Sequence, residues 1–99
     1  MDRDFGDFGF LIRLMPLMSY EAVREPIEVL VTFRNNHPEP MMFKWGNQHY
    51  QVKRVNLVHA ERVGREKIYY FSVSDDANAY RLSFHTESLA WNLEEMCVL

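Results

Sequence analysis

The chain has one cysteine, four glycines and four prolines among its 99 residues. A single cysteine, Cys97, rules out an intramolecular disulfide. The fold must therefore rest on an apolar core, and the expected setting is a reducing cytoplasm. With so little cysteine, and with His37, His49, His59 and His85 scattered rather than spaced as HxH or HExxH, no metal site is predicted. Gly46 and Gly64 stand alone, so no glycine-rich phosphate loop is present. No apolar run approaches the roughly 20 residues of a membrane-spanning helix, and no membrane partner is expected. Basic residues are not in excess. The formal net charge is −3, which argues against a generally basic nucleic-acid binder and leaves a local patch open. Internal repeats and low-complexity tracts are absent.

Apolar residues make up 47% of the chain and aromatics 14%, enough for one small folded domain. Residues 1–26 read as an N-terminal arm and 27–99 as the domain. Phe8 to Met18 (FGFLIRLMPLM) is short, is interrupted by Arg13 and Pro16, and follows Asp2, Asp4 and Asp7 instead of a basic leader. It reads as an irregular arm, loosely ordered or packed on the domain or on a second copy, in preference to a signal peptide or a membrane-surface anchor. Within Ser19 to Glu25, Ser19 can cap about two helical turns that Pro26 would stop.

Strand signals follow. Ile27, Val29, Val31 and Phe33 alternate with polar residues. Asn35 to Pro40 reads as a loop and Met41 to Trp45 as a short strand. Gly46-Asn47 is a tight turn, followed by a long strand from Gln48 to Ala60 whose phase flips at a bulge near Lys53-Arg54. Glu61 to Glu66 reads as a charged loop. Lys67 to Ser74 is a strand with Tyr69, Phe71 and Val73 on one face, Ile68 and Tyr70 on the other. Ser74 to Ala79 is a turn whose side chains bond their own backbone. Tyr80, Leu82 and Phe84 pair as a hairpin with Leu89, Trp91 and Leu93, with a bulge at Glu94-Glu95 leading to Met96 and Val98. About six closely spaced strands predict a mainly β fold. It is a small antiparallel barrel or strongly curled sheet, SH3-like or alternatively OB-like.

One set of spaced residues carries a family resemblance. The pattern is Pro40, Phe43-x-Trp45, the Gly46 turn, Tyr50-x-Val52, Val55, Tyr80-x-Leu82-x-Phe84 and Trp91-x-Leu93. It resembles a bacterial family of small uncharacterised β-domains, found alone or appended to Y-family DNA polymerases. The chain departs from that pattern at Val58-His59, where a further tryptophan is expected. The resemblance implies a nucleic-acid context and supplies no catalytic residue.

The residues offer little for catalysis. Cys97 beside Met96 and Val98 reads as a buried inert thiol, and Ser72, Ser74, Ser83 and Ser88 sit in no nucleophile-elbow motif. Asp75-Asp76 reads as turn chemistry. No enzyme and no cofactor is predicted. Charge is more informative. Lys44 to Lys67 holds six basic and two acidic residues, whereas Asp75 to Leu99 holds five acidic and one basic. Lys44, Lys53, Arg54, Arg62, Arg65 and Lys67 are interleaved with Trp45, Tyr50 and Tyr69, a mixture that suits single-stranded nucleic acid: cations track phosphates and rings stack bases. The same residues also describe a plain core and its solvated rim. A non-catalytic binding module is therefore the first expectation. A homodimeric protein–protein adaptor, which the opposed charges of middle and end would also serve, is the second.

Overall fold

A computed structural model describes residues 20–99; the arm from residue 1 to 19 lies outside the described residues. Seven strands form one antiparallel sheet: β1 (Tyr20–Arg34), β2 (His37–Trp45), β3 (Gln48–Gln51), β4 (Arg54–Val63), β5 (Glu66–Ser74), β6 (Asn78–His85) and β7 (Ala90–Val98). Their order across the sheet is β3-β2-β1-β7-β6-β5-β4. There is no helix among the described residues, hence none long and apolar enough to cross a membrane.

The curl comes from strands that change partner. β1 pairs with β7 through Ile27 and with β2 from Glu28 onward. Its register slips between Ala22 and Glu25, where Arg24 takes a φ of 54°. Bulges of this kind bend a strand and increase its twist. The other corner is the two-residue link between β3 and β4. There the Val52 amide donates to Met41 O at 2.9 Å and the Lys53 amide to Ser74 O at 3.0 Å. One short stretch thus ties both ends of the sheet together. The three strands β1–β3 fold over one end of the inner face of β4–β7. The core lies between them: Ile27, Phe43, Phe71, Val73, Tyr80, Leu82 and Leu93. Phe43 meets Tyr80 edge-on across this gap at 5.0 Å, and each such buried ring removes roughly 150–250 Å² from water.

Several expectations are corrected. Among the described residues the sheet is strongly curled but not closed into a barrel, because β3 pairs only with β2 and β4 only with β5. The helix over Ser19 to Glu25 is not formed over its described part: from Tyr20 to Pro26 the chain is strand, paired with β7. Pairing with a long neighbour outweighs the local cap and stop signals. The Asn35 to Pro40 loop shrinks to a two-residue turn, with Asn35 and Asn36 both at positive φ as a type I′ hairpin requires. Pro38 and Pro40 belong to β2. The hairpin closes on Arg34 and His37, so alternation points positions 38 and 40 away from β1, and β3 pairs with β2 only from Met42. Proline costs no ladder bond there. The charged loop Glu61 to Glu66 likewise shrinks to Gly64-Arg65, with Gly64 at a φ of 62°. Phe33 sits beyond the covered core and is 73% exposed. Leu89 falls in a turn and Val98 faces solvent, whereas Cys97 is buried.

Other readings match. The segment 90–98 is strand, and the β6–β7 register slips at Glu94. The Asp75 carboxylate accepts from the amides of Ala77 and Asn78 at 2.8 and 2.7 Å, so that turn does bond its own backbone. One strand expectation is corrected instead: Gln48 to Ala60 is not a single strand but breaks at Val52-Lys53 into β3 and β4, and the bulge lies at Asn56, not near Lys53-Arg54.

Candidate functional site

The basic residues singled out from the sequence divide into groups at opposite ends of β4. Eight residues separate Arg54 from Arg62, roughly 25 Å of strand. At the first end Lys53 and Arg54 are already engaged. Lys53 Nζ donates to Asp76 Oδ2 at 2.8 Å, and Arg54 lies 3.6 Å from Asp76 Oδ1 while donating to Asp75 O at 2.9 Å. The Lys53 hydrogen bond, reinforced by its charge, holds the Asp76 carboxyl below its ordinary range. Lys44 is elsewhere, in register between Glu28 of β1 and His49 of β3.

Trp45 and Tyr50 join the covered part of the core. Tyr50 stacks on Phe43 at 5.1 Å, Trp45 packs 5.9 Å from Tyr50, and the Trp45 indole N–H donates to Glu25 at 2.8 Å. Their rings are engaged by protein.

At the other end of β4 the arrangement is different. The Gly64-Arg65 turn sets the β4–β5 register, which places Arg62 opposite Lys67 and Ala60 opposite Tyr69. Tyr69 in turn faces Phe84 on β6, and Phe84 faces Trp91 on β7. Tyr69, Phe84 and Trp91 therefore form one row across three strands on the inner face, which Ile27 of β1, in register with Trp91, continues. Phe84 and Trp91 stack at 4.7 Å, Trp91 packs 5.5 Å from Phe71, and Tyr69 lies 6.3 Å from Phe71. The core rings Phe43, Phe71 and Tyr80 are each 1% exposed, while these three are half-buried. Lys67 Nζ lies 5.0 Å from the Tyr69 ring centroid, and the Thr86 hydroxyl fixes the Lys67 backbone by donating to its carbonyl at 2.7 Å. Arg65 is in the adjoining turn, where its carbonyl accepts from Arg62 at 3.5 Å. The alternation of β4 and β5 puts Arg62 and Lys67 on this face and Glu61 and Glu66 on the other. The result is an aromatic ledge bordered by cations.

Of the residues expected to act, Arg62, Arg65, Lys67 and Tyr69 are thus brought together; Lys44, Trp45, Tyr50, Lys53 and Arg54 are not part of that group. Phe84 and Trp91, which join Tyr69, enter the sequence reading only as residues of a hairpin and of the spaced family pattern. The signal that could have found them is the β5–β6 and β6–β7 hairpin registers, which set Phe84 opposite both Tyr69 and Trp91.

The outer face of β4–β7 carries a separate polar network. His59 Nε2 lies 3.3 Å from Glu61, and its ring stacks with Tyr70 at 6.2 Å. Arg81 sits 4.4 Å over the Tyr70 ring and 3.6 Å from Glu95. The Ser83 hydroxyl donates to Glu94 at 2.6 Å. Burial, then Glu61, pushes the Tyr70 phenol up; burial pulls the Arg81 guanidinium down against the opposing charge of Glu95. Ser83 and Ser72 are buried, and burial raises the Cys97 thiol. Such a network orders the outer surface of the sheet. No group of three or more His, Cys, Asp or Glu suited to a metal ion occurs among the described residues.

No family model, curated protein or solved structure matches the chain.

Proposed function

We propose that the chain is a non-catalytic binding module that holds single-stranded nucleic acid on the ledge of Tyr69, Phe84 and Trp91. The observation that carries this reading is that row of half-buried rings with Lys67 over its end and Arg62 beside it. Bases stack on such rings for roughly 1–3 kcal/mol each, and cations at the rim track the phosphates. Small curled sheets of the SH3-like or OB-like kind suit this use, since an OB-fold presents a strand face to oligonucleotides. The likeness of Pro40–Leu99 to a domain that accompanies Y-family polymerases points the same way.

The test is fluorescence anisotropy with labelled single-stranded DNA, RNA and duplex DNA. The expected result is micromolar binding to single strands. With three cations on the strand, affinity should fall roughly 10- to 20-fold between about 50 and 200 mM salt. Absence of binding to every probe at the lower salt overturns the proposal.

A further inference from the structure

We propose that the free edge of β4 pairs with β4 of a second copy of this chain, antiparallel, about a two-fold axis through Ala60. The inference stands on the edge itself and does not depend on what the ledge binds.

Among the described residues β4 has a strand partner on one side only. Its hairpin with β5 closes on Val63 and Glu66, so alternation turns the backbone groups of Val58, Ala60 and Arg62 to the open side. Val58 and Val63 are 45% and 56% exposed along this stretch. Edges are normally guarded by proline, lysine, a bulge or shortness. At the opposite end of the sheet β3 has four residues, and β2 carries Pro38 and Pro40. From Leu57 to Val63 there is neither proline nor lysine, and the Asn56 bulge lies before the stretch begins.

The sequence of this edge selects one register. A two-fold axis perpendicular to the sheet sets one residue opposite itself. Centring on Val58 opposes Arg54 to Arg62; centring on His59 opposes Leu57 to Glu61. Centring on Glu61 or Arg62 sets like charges face to face. With Ala60 at the centre, His59 faces Glu61 of the second copy and Leu57 faces its Val63, each twice by symmetry. Apolar pairs directly opposite are a stabilising combination in a sheet, and in this register no like charges meet. Val58, Ala60 and Arg62 then pair with Arg62, Ala60 and Val58 of the second copy, adding about six backbone hydrogen bonds at two per bonded pair. An isologous contact of this kind is complete at two subunits.

Sedimentation velocity across about 1–200 µM tests the assembly, and single substitutions test its register. The expected wild-type result is a concentration-dependent dimer. Ala60→Cys should cross-link on mild oxidation, because bonded partners lie about 5.5 Å apart, within disulfide reach. Val58→Cys should not, being about 13 Å from its own copy. Ala60→Pro removes an amide that the chain itself does not use. It should raise the dissociation constant at least tenfold with an unchanged circular dichroism spectrum. If that variant misfolds, Val58→Lys reads the same loss. A monomer at every concentration, a dimer untouched by either edge variant in folded protein, or cross-linking at 58 equal to that at 60 overturns the proposal.

Discussion

The two ends of the inner face are made from the same kinds of residue and treated differently. At one end Tyr80 and Val73 are roofed by Phe43, Tyr50 and the rest of β1–β3. At the other, Tyr69, Phe84 and Trp91 continue the row that starts at Ile27 of β1 and stay half-buried. The nearby cations differ: Lys53 and Arg54 are tied to Asp76, while Lys67 sits over the half-buried Tyr69 ring with Arg62 opposite it in register. Aromatic content therefore does not distinguish core from surface in this chain. The fully buried rings are the three between the two halves of the curl, Phe43, Phe71 and Tyr80.

The largest separation between the ends should be in stability. Phe43→Ala opens a cavity between the two halves of the curl and is expected to cost about 3–5 kcal/mol, whereas Phe84→Ala on the ledge costs about 1–2 kcal/mol. Urea denaturation followed by Trp fluorescence measures both. Equal losses would mean that the ledge is as covered as the core.

Charge reversal should separate the ends next, in binding. Arg62→Glu with Lys67→Glu is expected to weaken single-strand binding at least tenfold, about 1.4 kcal/mol, and to flatten the salt dependence. Lys53→Glu with Arg54→Glu should change affinity no more than about twofold to threefold, since those cations already face carboxylate. Anisotropy titrations of the two double variants side by side decide the matter, and a reversed ranking would move the site to the other end of β4.

The smallest effect concerns Asp76. Its folded-state pKa is depressed, so the stability it adds is present above the ordinary aspartate value of about 4 and is lost as pH falls through the folded value. Wild type and Asp76→Asn should therefore differ slightly in melting temperature at neutral pH and converge in acid. A difference that persists once the carboxyl is protonated would assign it to something other than the Lys53 pair.

Much of the fold was legible because alternation is local. Tyr80, Leu82 and Phe84, and the slip at Glu94, follow from period-two patterning and its interruptions. The misreadings share a cause. Ser19 and Pro26 resemble helix punctuation, and Pro38 and Pro40 resemble a loop, until the neighbouring strand is known. Only the register with β7 makes Tyr20–Pro26 extended, and only the register with β1 shows that the two prolines give up no bond. The site was legible in part for the same reason. Arg62, Lys67 and Tyr69 meet through a two-residue turn, whereas the pairing of Lys53 with Asp76 spans 23 positions and depends on how the sheet curls.

Pro38 has a consequence for growth. A sheet with two receptive edges can add strands at both and lengthen without limit; a sheet with one can add a single partner and stop. Pro40 is fully buried, whereas the half-buried Pro38 places a ring nitrogen where β2 would otherwise offer an amide hydrogen, and so caps that side of the molecule as a chain terminator caps a polymer. Restoring a donor there with Pro38→Thr should make that edge more receptive to another strand.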